Sequence, residues 1–310
     1  WLKSCSHLSS SRLGSSVACA GHPSPSGVVR IVMELVCLGV GAGKTMVYDG
    51  EPSSAFLMRA APAGCTGAHP GEEGSHRQGL LLIDCGLGVV RACLQHADSV
   101  PPLIYVSHNH TDHAGELPVV LAVERTRPGG SRRTVVTERR VAEVLKERRL
   151  HETTAVGAYD ADWIVLEEGQ VTPIGHGLAM MPVGPCQHTE LCFGFVLYAD
   201  SMDSGSGGRR ALFGFTADSG LCDALMDQLA EAPLLLADAR QAGTQEHASF
   251  EELRGWREAK GYAGRIVIYH YGCLADAPCF GENGLGFMGV ARPGDIVARW
   301  DADGNPLPHA

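Results

Sequence analysis

The sequence predicts an α/β fold of two mixed β-sheets with helices on the outside. Three observations predict it: short strands open the domain, strands and helices then alternate, and one buried strand empties directly into a cluster of histidines. The strands expected first are residues 33–39, 54–60, 80–84 and 103–106. Residues 86–97 read as a helix with Val89, Val90, Cys93 and Leu94 on one side, and further helices are expected at 116–124 and 138–149. Strands near 163–166, 171–174, 178–183, 191–199 and 211–216 follow. The last periodic segments are a helix at 221–231, a strand at 233–237, a helix at 249–259 and a strand at 265–269. Ser249 and Glu252 have the spacing of a capping box at the start of that last helix. Residues 61–79 and 201–210 are polar, Gly- and Ser-rich, and read as hairpin loops. Nothing periodic is visible in residues 271–310.

Residues 1–32 differ in kind, being Ser-rich, carrying Lys3, Arg12 and Arg30, and holding no acidic residue before Glu34. That composition fits a transit-like presequence, a disordered tail or a gene-model extension, and the folded domain is expected to span 33–310. No apolar run approaches the roughly 18 residues that span a bilayer, so the expectation is a soluble protein, cytoplasmic, or mitochondrial if residues 1–32 are a presequence. Eleven cysteines are scattered singly without C-x-x-C pairs, which reads as reduced thiols.

The formal net charge of −10 excludes a general attraction for phosphate backbones. Arg132, Arg133, Arg139, Arg140, Lys146, Arg148 and Arg149 form a local basic patch, read as the solvated face of a helix whose Val141, Val144 and Leu145 turn inward. Gly39 to Thr45 includes Gly-Lys-Thr, but a phosphate-binding loop needs glycine where Leu38 stands. The segment is expected to be a tight glycine turn, continuing as a turn through Tyr48, Asp49, Gly50 and Pro52 instead of opening a helix.

The chemistry concentrates in His108-Asn109-His110-Thr111-Asp112-His113, directly after the apolar strand. Imidazoles and carboxylates are the donors zinc takes. If the loop is extended, a period of two sets His108, His110 and Asp112 on one side, with His113 turning off at the next helix. One segment can then feed two metals.

The His-x-His-x-Asp-His pattern resembles the signature of the metallo-β-lactamase superfamily, whose fold is an αββα sandwich. That resemblance implies where the remaining metal ligands lie. Pro182-Val183-Gly184-Pro185-Cys186-Gln187-His188-Thr189 looks like the third motif, so that His188 joins His108 and His110 at one metal. Phe215-Thr216-Ala217-Asp218-Ser219-Gly220 looks like the fourth, with Asp218 bridging. Ile266-Val267-Ile268-Tyr269-His270 looks like the fifth, bringing His270 to Asp112 and His113. Asp84, in Leu82-Ile83-Asp84-Cys85-Gly86, matches the aspartate that supports the ligand loop, though a turn after a strand explains it as well.

Within the superfamily the chain is most similar to ribonuclease Z and its phosphodiesterase relatives. Met33 to Gly39 resembles the start of those enzymes, and Glu246-His247-Ala248-Ser249 resembles their Gly-His-Ser-Thr segment, with Glu246 in place of Gly and Ala248 in place of Ser. The resemblance implies two Zn2+ ions, with Mn2+ or Fe as alternatives, a bridging hydroxide as nucleophile, and Asp112 and His247 as catalytic residues, His247 being the general acid. Only 29 residues separate His188 from Asp218, too few for the long arm with which ribonuclease Z grips transfer RNA. The expected substrate is therefore a small phosphodiester or an RNA end, with no membrane partner and a homodimer as the possible assembly. The alternatives are a thioester or lactone hydrolase on the same metals, a transfer-RNA 3′-processing-like endonuclease, a non-hydrolytic metal-binding protein and a redox protein.

Overall fold

The structure is a computed structural model and describes residues 31–63, 77–151, 161–200, 208–277 and 288–308. The Ser-rich segment 1–30 lies outside the described residues, as do most of the two polar loops at 61–79 and 201–210.

The first sheet has seven strands in the order β15-β1-β2-β3-β4-β5-β6. These are β1 (Ile31–Gly39), β2 (Ala55–Pro62), β3 (Gln78–Ile83), β4 (Leu103–Tyr105), β5 (Thr134–Glu138), β6 (Asp162–Leu166) and β15 (Ile296–Trp300). The second sheet runs β14-β13-β11-β10-β9-β8-β7, with the short β12 (Ala248–Ser249) beside β11. Its members are β7 (Thr172–Gly175), β8 (Leu178–Val183), β9 (Gly194–Asp200), β10 (Arg209–Phe215), β11 (Leu234–Arg240), β13 (Arg265–Tyr269) and β14 (Met288–Val290). Helices α1 (Gly43–Asp49), α2 (Val89–Cys93), α3 (Thr111–Ala114), α4 (Leu117–Thr126), α5 (Arg139–Val144), α6 (Asp223–Leu229) and α7 (Phe250–Lys260) complete the chain.

Alternation along β1 shows why the layers stack. Leu35 and Cys37 join the core between the sheets with Phe56, Met58, Phe195, Phe215 and Tyr269. Val36 and Leu38 point the other way, joining Leu57, Leu82 and Ile104 under α2, α4 and α5. A strand buried on both faces reads as a continuous apolar run, as these do. On the second sheet α6 lies on β8 and β10, and α7 on β11. Sheets with helices outside are as expected for the metallo-β-lactamase type.

Several elements differ from the sequence reading. The first strand begins at Ile31, two residues before Met33, pairing Ile31 with Pro62 and Val32 with Ala61. Residues 43–49 form a helix where a turn was expected; Thr45 hydroxyl donates to Ala42 O at 2.6 Å and Gly50 closes the helix at φ 74°. Gly39 is required by close approach, since a Cβ there would meet Ser53 O at 2.3 Å. The helix expected over 86–97 is shorter, Val89–Cys93, and is capped by a distant side chain: Glu116 accepts from Gly88 N and Val90 N at 2.9 and 2.8 Å. The helix beginning at Glu138 ends in a π-helical turn, Leu145–Arg149. β14 and β15, absent from the sequence reading, close one edge of each sheet. The capping box of α7 is present: Ser249 Oγ accepts from Glu252 N at 3.1 Å and Glu252 Oε2 accepts from Ser249 N at 2.7 Å.

The basic patch is mostly neutralised. Arg132 pairs with Asp162, Arg139 with Glu167, and Arg140 with Glu138 and Glu168. Arg133 departs from the expected solvated face: it is buried against Glu124.

Edge closure depends on one buried acid. Glu34, 2% exposed, stands opposite Arg59 on β2 and Arg299 on β15 and accepts from both, at 2.7 and 2.9 Å. Glu34→Ala would strand two guanidinium groups, so we expect a loss of about 3–5 kcal/mol. The readout is a lower denaturant midpoint at unchanged m-value.

Candidate metal centre

Every predicted site residue lies where chain segments leave the same ends of the two sheets. β3 and β4 run parallel, as do β10, β11 and β13, so their C-terminal ends open together. His108 follows β4, His188 lies between β8 and β9, Asp218 follows β10, His247 precedes β12 and His270 follows β13. His110 is the N-cap of α3, and Asp112 and His113 lie within it. Asp112 is therefore on a helical turn and not on the extended segment expected from a period of two.

The structure brings the predicted donors together in two groups. One donor atom each from His108, His110 and His188 lies within 4.8 Å of the others, and the same holds for Asp112, His113 and His270. Asp218 stands between them: its Oδ2 is 3.3 Å from His113 Nε2 and 3.2 Å from His270 Nε2. His188 Nε2 lies 3.1 Å from His110 Nδ1.

Hydrogen bonds behind the rings decide which atom each offers. Ser107 Oγ donates to Asp84 at 2.9 Å and so accepts from His108 Nδ1 at 3.0 Å, leaving His108 Nε2 with a free lone pair. His113 Nδ1 donates to Asp84 Oδ2 at 2.8 Å, and His270 Nδ1 meets Ser54 Oγ at 2.8 Å. Among the described residues, His108 Nε2, His113 Nε2, His188 Nδ1 and Asp218 Oδ1 are buried without a hydrogen-bond partner. Buried polar atoms are rarely left so. Converging imidazole nitrogens and a carboxylate oxygen fit the donor preferences of zinc.

Burial pulls His108 and His188 below the usual imidazole range and His270 to about 3, so these rings stay neutral and able to donate. Burial acts on His113 in the same direction, but the charges of Asp218 and Asp84 outweigh it and raise His113 well above that range. Asp218 is held well below the carboxylate range, because the neighbouring His113 overcomes its burial.

The backbone is strained here. Asp84, Ala217 and His270 have φ of 62°, 54° and 57°, which L-residues seldom adopt. Such conformations persist where surrounding structure imposes them, and these three carry or adjoin site side chains.

Two residues of the site escaped the sequence reading. Asp238, at the end of β11, places Oδ2 2.7 Å from His247 Nδ1, and burial pushes its carboxyl up to about 7. Ser54 orients His270. The only sequence signal was an aspartate closing an apolar strand. Arg149, read as part of the solvated face, is half-buried and donates from Nε to Asn109 Oδ1 at 2.9 Å, within the histidine run.

Facing mixed sheets, outer helices and a donor cluster at the strand ends define a protein of the metallo-β-lactamase fold. The profile of the family described as Anti-Pycsar protein Apyc1 matches residues 75–297, more than half of the chain, and the chain belongs to that family. No curated protein matches the sequence. Among solved structures, the metallo-β-lactamase fold protein YhfI from Bacillus subtilis is similar with a TM-score of 0.56 and 16% identity, over 87% of this chain and 99% of that one. A diphosphatase of the PhnP family matches at 0.55 and 15%, over 86% and 96%. Human tRNase Z, short form, matches at 0.53 and 16%, over 85% and 97%. These likenesses establish the fold.

Two outcomes are expected. A Cβ on Gly86 would sit 1.7 Å from the Asp112 carbonyl oxygen, so Gly86→Ala must displace α3. Its metal content after dialysis, read by elemental analysis, should fall well below wild type. The charges of Asp218 and Asp84 hold a proton on His113 more tightly than on an ordinary imidazole, and a metal bound by His113 would compete with that proton. Metal uptake should therefore release protons and weaken as pH falls. Calorimetry in buffers of different ionisation enthalpy checks this, and buffer-independent heats would contradict it.

Proposed function

We propose that the chain is a phosphodiesterase that uses two zinc ions and acts on a small or short phosphodiester, such as a cyclic nucleotide or an RNA end. The observation that carries this reading is the His247–Asp238 pair beside the donor cluster. Nδ1 of His247 is engaged by Asp238, and its ring stacks on His270 at 5.4 Å between centroids and lies 5.6 Å from His188. Its Nε2 is then the atom able to carry a proton to a leaving group. A thiolate leaves without such help, whereas an alkoxide leaving phosphorus gains from it. The fold shared with a diphosphatase and with tRNase Z points the same way.

His108, His110 and His188 would hold one ion, and Asp112, His113 and His270 the other, with Asp218 between. When bound, the metals would lower the pKa of water to near 7 and withdraw charge from a phosphoryl oxygen. Asp84, Ser107 and Ser54 keep three of the rings turned inward. Asp238 holds the His247 ring, and His247 protonates the departing oxygen. The short connection from His188 to Asp218 and the paired arginines favour a small substrate over transfer RNA.

The test combines metal analysis with hydrolysis of bis(p-nitrophenyl) phosphate, cyclic nucleotides, thioesters and lactones. We expect diester turnover; ester turnover alone would overturn the reading. His247→Ala should keep its metals and lose about 10² to 10⁴ in kcat on alkoxide leaving groups, and less on p-nitrophenolate. Equal losses on both would remove His247 as the acid.

A further inference from the structure

Glu246 stands where the segment it resembles carries glycine, directly before His247. Its backbone N–H donates to Thr244 Oγ1 at 3.1 Å, which fixes the turn. A carboxylate oxygen of Glu246 and ring nitrogens of His188 and His247 all lie within 4.8 Å of one another. The residue is half-buried, and among the described residues no lysine or arginine pairs with its carboxylate. It is therefore a partly desolvated negative charge at the edge of the metal centre, on the side of the proposed acid.

We propose that Glu246 is a specificity-determining residue that reads the leaving group, accepting a hydrogen bond from a sugar hydroxyl and repelling a second phosphate. The inference rests on the phosphodiesterase reading, because that reading puts the departing oxygen at His247. A group this close to the His247 ring lies alongside the carbon skeleton that bears the departing oxygen. A carboxylate offers only acceptor lone pairs, so a hydroxyl there gains a charge-assisted hydrogen bond. A phosphate there brings only like charge, weakly screened in a half-buried site. Glycine at this position would be indifferent to both. The side chain thus discriminates mainly by what it rejects.

The experiment measures equilibrium binding of adenosine 5′-monophosphate and adenosine 3′,5′-bisphosphate to the metal-loaded protein, followed by turnover of a dinucleoside monophosphate with and without a terminal phosphate on the leaving nucleoside. Wild type should prefer the ligand with the free hydroxyl. Glu246→Gln should shrink that preference about tenfold, in Kd and in KM more than in kcat, while Glu246→Asp retains most of it. An unchanged preference in Glu246→Gln overturns the proposal. Loss of a metal equivalent in Glu246→Gln also overturns it, since the carboxylate would then be a ligand. A shifted binding preference without diester turnover by wild type supports the selectivity and sinks the phosphodiesterase reading instead.

Discussion

Asp84 accepts three hydrogen bonds at the end of β3, from Ser107 N, Ser107 Oγ and His113 Nδ1, and the geometry of the centre depends on that arrangement. Because the Ser107 hydroxyl is spent on Asp84, it can only accept from His108, so a single carboxylate sets the tautomer of two histidines. Both then present Nε2 toward Asp218. Asp84 reaches this position from a left-handed backbone conformation at the junction between β3 and Gly86, where only hydrogen separates the chain from the Asp112 carbonyl. The support and the ligand turn are thus packed backbone against backbone, leaving little freedom for the donors to drift.

Asp218 makes the complementary contribution from the second sheet. A carboxylate buried among imidazoles would be costly alone, and it is retained here because His113 and His270 lie 3.3 and 3.2 Å away. Asp218 and Asp84 in turn raise the proton affinity of His113 well above the usual imidazole range. Dications would balance the buried charge, since they neutralise Asp218 and Asp112 while using the lone pairs that are otherwise unpartnered. The strained Ala217 and His270 backbones indicate that the protein holds the donors in place before a metal arrives.

Much of this was legible because metal donors sit at strand ends and strands announce themselves by apolar runs. His108 to His113, His188, Asp218 and His270 each follow such a run, and the motif order identified them. Asp238 and Ser54 were not legible: each acts on a histidine that only the packing of sheet on sheet, or of parallel strands, brings near. β15 escaped for a related reason, since it pairs with β1 from the far end of the sequence and has too few residues for periodicity to show. The helical turn at Asp112 was missed because a period-two rule assumes an extended chain, whereas His110 already caps a helix.

For the phosphodiesterase we propose, charge placement would favour compact substrates over polymers. The arginines of the basic patch, read from the sequence as a solvated helix face, are largely committed to Asp162, Glu138, Glu167 and Glu168, and Arg149 is turned inward onto Asn109. Polyanion affinity grows with the number of phosphates neutralised, so a chain with a net charge of −10 whose basic patch is largely paired would gain little from length. On that reading, a single phosphate would be attracted locally, by metals held at the donor cluster, and opposed by the nearby carboxylate of Glu246. A substrate with one phosphate and a neutral, hydroxyl-bearing remainder would then meet the attraction without the repulsion, whereas each added phosphate would meet mainly the repulsion.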